Sequence, residues 1–148
     1  MKHSEKSLKL TLAIVIFLAA LFAFFLFAAP IIFPRYCELA HKGEEATKAL
    51  IGVCHGCSPS AAITLIYIFK FLKNLEKGEV FTAKSVKYLR ILSYTCLSAV
   101  PLSLPLCFYF IGAFPIPAAA GFMWLILRII KNAFEYGSEI KNENDLTV

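Results

Sequence analysis

No aspartate or glutamate interrupts any of the four long apolar stretches of this 148-residue chain. A proton-coupled pump or a small multidrug exporter works through at least one membrane-buried carboxylate, so that class lacks its working group here. Charge of either sign is scarce. Charged residues make up 17% of the chain and hydrophobic residues 59%, against about 25% and about 45–50% in a soluble domain. No lipidation motif, internal repeat or low-complexity tract is found. The apolar excess lies in long blocks, not at a period of 2 or 3.6. That excludes a soluble enzyme, a disordered tail and a secreted disulfide scaffold, and it leaves a small polytopic membrane protein.

The first block, Leu10–Phe33, has Thr11 as its only polar side chain. At about 1.5 Å per residue it makes roughly 36 Å of helix, against about 30 Å of hydrocarbon. The second, Ala49–Phe69, is weakened by His55, Ser58, Pro59, Ser60 and Thr64. The third, Leu89–Ile111, carries Pro101 and Pro105, and the fourth, Ala113–Ile130, opens with Pro115 and Pro117. Proline is tolerated in a first helical turn, where its missing N–H would be unpaired anyway. The first block resembles a signal peptide in its basic start, but its run exceeds the about 7–15 residues of a signal core. Pro30 also follows the Ala28–Ala29 pair directly, so the block is read as a retained span.

Basic residues orient the spans. Lys2, Lys6 and Lys9 precede the first, and Arg128, Lys131 and Lys141 follow or close the last. Lys70, Lys73, Lys77, Lys84, Lys87 and Arg90 fall between the second and third, while Arg35, Lys42 and Lys48 lie between the first and second. Lys and Arg resist translocation, so both termini and the 70–88 hairpin are expected in the cytoplasm. The fold class is therefore all-α: an integral membrane four-helix bundle, one domain over 1–148, with a cytoplasmic tail at 131–148. The net charge of +5 is a topology signal, and direct nucleic-acid binding is not expected.

Gly78 follows a helical run of lysines, which marks a helix stop, and Thr82 is placed to cap the next helix. Lys84, Lys87 and Arg90 share one face of that helix, while Val86 and Leu89 point elsewhere. This is a topogenic charge cluster, or a docking surface for an acidic partner or anionic lipid. In the tail, Ile130, Ala133, Phe134 and Gly137 fall near one face, so the fourth span is expected to continue as a helix. Glu135, Glu139, Glu143 and Asp145 make the tail the most acidic stretch, and a weak dock onto the basic hairpin is expected.

The segment Gly78-Glu79-Val80-Phe81-Thr82, followed by Val86, Leu89 and Arg90, resembles the central signature of the family called domain of unknown function 2975. The ending Glu143-Asn144-Asp145-Leu146-Thr147-Val148 is similar to its C-terminal signature, with Val148 where Ile is common. The resemblance extends over nearly the whole chain in length and span order. It implies a small four-span protein of the bacterial cell membrane with no catalytic residues to carry over. Genes of this family often lie beside one for a small helix-turn-helix regulator, which implies a cytoplasmic regulatory partner.

Cysteine supplies the remaining chemistry. Cys54-His55-Gly56-Cys57 forms a C-x-x-C near the outer face, with Cys37 and His41 in the outer loop, Cys107 near the end of the third span and Cys96 deeper. Vicinal thiols exchange disulfides, and four-span thiol oxidases that pass electrons to quinone are similar in outline. Those enzymes need a second working pair, and zinc spacing is missing, so no cofactor and no metal is assigned. His55 is read as a structural histidine. Gly52, Gly56 and Ser60 at four-residue steps form a small-residue seam, within the bundle or between protomers of a homo-oligomer.

The leading expectation is non-enzymatic: a regulatory or interaction module that uses Phe81, Arg90, Asp145 and Leu146. Phe81 would anchor the hairpin, Arg90 would bind phosphate or the tail, and Asp145 with Leu146 would form a recognition end. The alternatives are a membrane thiol–disulfide oxidoreductase using Cys54 and Cys57, and a small transporter or immunity protein. Beyond these, the lipid bilayer is the partner.

Overall fold

The computed structural model describes residues 2–146, with side chains described for residues 7–141 and for Glu143. Four helices follow one another: α1 (Lys2–Leu39), α2 (Glu44–Glu76), α3 (Ala83–Tyr109) and α4 (Pro115–Leu146). A 3-10 turn at Ile111–Ala113 joins the last two, and no strand occurs among the described residues. Each of the four helices is long and apolar enough to cross a membrane. The helices overrun the apolar blocks read from the sequence, except at the third connection. There Phe110 to Phe114 form the turn, and Pro115 takes the first helical position, where its fixed φ suits a helix start.

Two kinds of local chemistry keep these long helices continuous and end them cleanly. Pro30 and Pro34 lie within α1, Pro59 within α2, and Pro101 and Pro105 within α3. Each proline deprives the carbonyl four residues earlier of its helical donor. For Pro59 that carbonyl belongs to His55, and the Ser58 hydroxyl donates to it at 2.7 Å. At the end of α1 the amides of His41 and Lys42 donate to the carbonyls of Glu38 and Cys37, at 3.1 and 2.9 Å. This paired pattern is the Schellman motif, which needs one left-handed residue. His41 occupies that position with φ 52°.

The helices do not close into a ring. α1 packs against α2 alone, α3 holds α2 on one side and α4 on the other, and α1 reaches neither α3 nor α4 through its backbone. The bundle is thus an open one, with α2, α3 and α4 as its body and α1 on the flank. A hydroxyl ladder crosses the α2–α3 seam: Ser60 and Ser98 meet at 2.8 Å, and Thr64 donates to Thr95 at 2.8 Å. Interhelical hydrogen bonds of this kind average about 0.6 kcal/mol in a membrane setting. They fix which face of α2 meets α3. The outer surface is apolar, with Phe27 85% and Phe108 89% exposed, as lipid contact requires.

The small-residue seam needs correction in part. A Cβ added at Gly52 or at Gly56 would meet nothing within 4 Å, so neither glycine lies in a helix contact of the single chain. Only Ser60 of the three reaches another helix. Both glycines are exposed on α2, and in an apolar layer such a face can meet lipid as readily as another helix. Between α4 and α3 a glycine does meet a neighbouring helix: a Cβ at Gly121 would stand 3.9 Å from Val100.

At the end opposite the 70–88 hairpin, Lys42 ties two connections together. Its ammonium donates to the Tyr109 carbonyl at 3.1 Å, at the C-terminus of α3, and lies 5.5 Å from the Phe110 ring centroid. A cation suits the negative end of a helix, so this lysine has a structural role on the side where the charge rule leaves few basic residues.

Candidate functional site: the braced hairpin and the α4 arm

The α2–α3 hairpin is built around one amide. α2 ends in a second Schellman motif: Gly78 N–H donates to Leu75 at 2.9 Å and Glu79 N–H to Asn74 at 3.2 Å. Gly78 supplies the left-handed residue with φ 77°, a conformation that costs other residues about 1–2 kcal/mol. Asn74 then turns its side chain into the loop. Its Nδ2 donates to the Glu79 carbonyl at 2.9 Å and to the Ser85 hydroxyl at 2.8 Å, with the Thr82 hydroxyl at 3.2 Å. The Ser85 hydroxyl also donates to the Glu79 carbonyl at 3.1 Å. Thr82 caps α3 by accepting the Ser85 amide at 3.3 Å. Asn74 is 8% exposed and Ser85 is 0% exposed. Buried polar groups that satisfy one another hold a single geometry, so the hairpin is stiff.

The same turn docks onto the arm of α4 beyond Ile130. The Phe81 ring lies 5.3 Å from that of Phe134, and Phe71 of α2 approaches Phe134 from another side at 5.8 Å. Gly137 makes room for this: a Cβ there would stand 2.6 Å from Cδ1 of Phe81 and 2.8 Å from Cε1. At the position next to Phe134, Glu135 accepts from Arg90 at 3.3 Å, and Lys131 meets its other oxygen at 2.6 Å. The hydrogen bond from Lys131 holds the Glu135 carboxyl below its ordinary value of 4.5, aided by the charges of Lys131 and Arg90 and the hydrogen bond from Arg90, while desolvation opposes it. Between α3 and the arm runs a groove of about 520 Å³ that includes Lys87, Arg90 and Tyr94 on one wall and Glu135 and Glu139 on the other.

The segment that carried the family resemblance is therefore a hairpin-and-dock device. Gly78 ends α2, the Glu79 carbonyl receives Asn74 and Ser85, Phe81 meets the arm, Thr82 caps α3, Val86 and Leu89 are buried, and Arg90 pairs with Glu135. Asn74 and Ser85 were missed as site residues. Their signal was a polar side chain on either side of the turn, within an otherwise apolar helix face. Asp145 and Leu146 lie on the last turn of α4, but their side chains fall outside the described residues.

One thiol is placed differently from the reading of the sequence. Cys37 does not lie in an open outer loop: the helix runs on through it to Leu39, its carbonyl accepts the closing hydrogen bond from Lys42, and it is 1% exposed. Cys54 and Cys57 are half-buried, and all five cysteines are free thiols. No group of three His, Cys, Asp or Glu side chains that could hold a metal occurs among the described residues. His55 directs Nδ1 at the Ile51 carbonyl of its own helix, at 3.0 Å. A carbonyl only accepts, so Nδ1 is the donor in that contact.

These features define a protein of four helices long and apolar enough to cross a membrane, with a stiff basic hairpin clasping a helical arm. The chain belongs to the family described as Protein of unknown function (DUF2975), whose pattern matches residues 44–148. The match begins at the start of α2 and leaves out α1, so it is narrower than the likeness in span order. The excluded helix is also the one that packs on α2 alone. No curated protein and no solved structure matches the chain.

Proposed function

We propose that this chain is a non-enzymatic integral membrane interaction module, with the hairpin, the arm and both termini in the bacterial cytoplasm. The arm of α4 engages a cytoplasmic protein, and the resemblance makes a small helix-turn-helix regulator the first candidate. One observation carries the reading. α4 continues unbroken from its apolar stretch to Leu146, about 24 Å of helix beyond Ile130. It is braced where it leaves the apolar layer by Phe81, Phe71 and Arg90. A helix of that length standing free in water is marginal on its own, and the brace fixes where its end is presented. Preorganisation of this kind lowers the ordering cost of binding. The basic hairpin supports the orientation, since Lys and Arg favour the cytoplasmic side.

The test is co-purification of the full-length chain in detergent with a helix-turn-helix regulator of the kind encoded beside members of this family. Replacing Asp145 and Leu146 with alanine should weaken capture while membrane insertion stays unchanged. The Phe81→Ala variant should weaken it as well, by freeing the arm. Equal capture by all three chains would overturn the assignment of the arm.

A further inference from the structure

A second groove, of about 630 Å³, opens on the opposite flank of the hairpin, between α1 and α2. Its volume falls in the range of about 300–1,000 Å³ typical of ligand sites. Its two ends differ in chemistry. Deep in the apolar blocks it is walled by Val15, Ile16 and Ala19 of α1 and by Leu65, Ile66 and Phe69 of α2. At the hairpin end the wall changes to Lys70, Lys73, Lys77 and Lys84, with Glu79 as the single carboxylate. None of these four lysines makes an ion pair among the described residues.

The lysines are also held at a particular depth. Lysine side chains at a helix end ordinarily extend toward water. Here the Lys70 ammonium lies 5.1 Å from the Tyr67 ring centroid and that of Lys73 lies 5.9 Å from the Phe69 centroid. Both rings are one turn back along α2, toward the apolar blocks, and attraction to their faces keeps the cations there. The charges therefore sit beside the apolar channel and not beyond it.

We infer that this groove binds one anionic phospholipid, with its phosphate among Lys70, Lys73, Lys77 and Lys84 and an acyl chain along Val15, Ala19 and Ile66. Charge complementarity selects the headgroup. The apolar walls select what is attached to it, because a soluble acidic peptide would have to place polar backbone against a hydrocarbon-facing surface, where unpaired groups are costly. An anion joined covalently to a hydrocarbon chain satisfies both ends at once. The open position of α1, packed against α2 alone, gives the lipid lateral entry from the bilayer. The inference stands apart from the protein partner proposed above, since it uses the other flank of the hairpin.

The experiment uses the full-length chain in a mild detergent, with thermal unfolding followed during titration by phosphatidylglycerol, phosphatidylcholine or glycerol phosphate. Phosphatidylglycerol should bind more tightly than phosphatidylcholine by about ten-fold or more, in line with the pull of basic side chains on anionic lipid. Glycerol phosphate should leave the unfolding temperature unchanged. Replacing the four lysines with glutamine should remove the preference. Ala19→Phe, which fills the channel and leaves every charge in place, should weaken phosphatidylglycerol binding by a similar factor. Four results would each overturn the inference: no preference between the two lipids, an equal response to glycerol phosphate, unchanged binding by the glutamine variant, or unchanged binding by Ala19→Phe. The last would mean that the lysines attract anionic lipid as a diffuse surface charge. Because Ala19→Phe and the lysine replacements perturb different parts of the groove, misfolding of one variant leaves the other as a test.

Discussion

Replacing Gly137 with alanine should separate the dock from ordinary helix energetics. Within a helix this change normally stabilises by about 0.8–1 kcal/mol, because alanine restricts the unfolded backbone and glycine does not. Here the new methyl would stand 2.6 and 2.8 Å from two carbons of the Phe81 ring. The ring must retreat by about 1 Å to reach ordinary contact, which loosens its 5.3 Å approach to Phe134. Overpacking of a fixed contact costs about 1–3 kcal/mol. Phe81 is 44% exposed and can yield, so the lower end of that range applies. The two effects then nearly cancel in the wild-type chain, and the net change should lie near zero or be destabilising by about 1 kcal/mol. In a Phe81→Ala background the clash is gone, and the same glycine replacement should stabilise by its full helix propensity. The double-mutant cycle should therefore show a coupling of about 1–2 kcal/mol between positions 81 and 137. Thermal unfolding in detergent measures it, with protease cleavage of the arm as a local readout. Equal stabilisation in both backgrounds would show that Phe81 does not rest on Gly137 in solution, and the account of the brace would fail with it.

Three further outcomes follow from the same geometry. Asn74→Ala should destabilise the hairpin by about 1–3 kcal/mol, the cost of leaving buried partners such as the Glu79 carbonyl and Ser85 hydroxyl unsatisfied, and trypsin should then cut faster at Lys77. Lowering the pH should release the arm. The Glu135 pKa is depressed in the folded chain, so its contribution is full above the unfolded carboxylate value and is lost as pH falls through the lower, folded value. Hydrogen exchange of the arm should accelerate in that acid range, and the acceleration attributable to this group should be missing from Glu135→Gln. His41→Gly should stabilise the chain by about 0.5–1 kcal/mol in thermal unfolding, because it relieves a left-handed conformation that glycine adopts freely. A loss of stability there would mean that the imidazole makes a contact worth more than the strain.

Much of this protein is decided along the chain itself. The four apolar runs, the stop at Gly78, the cap at Thr82 and the start of α4 at Pro115 all rest on interactions between residues a few positions apart, so they are legible from the sequence. The continuation of α4 through Ala133, Phe134 and Gly137 follows from the same local periodicity. The choice of which helix faces meet is a different matter. In a chain apolar on nearly every face, lipid and neighbouring helix offer a side chain much the same environment, and amphipathic periodicity carries little direction. Gly52 and Gly56 look like a packing seam in the sequence and yet face outward, while Ser60 and Thr64, which seem only to weaken a span, join α2 to α3. The knot around Asn74 and Ser85 and the seat of Phe81 on Gly137 likewise depend on residues brought together from distant parts of the chain. Only tertiary packing, driven by close contact and the need to satisfy buried polar groups, decided them.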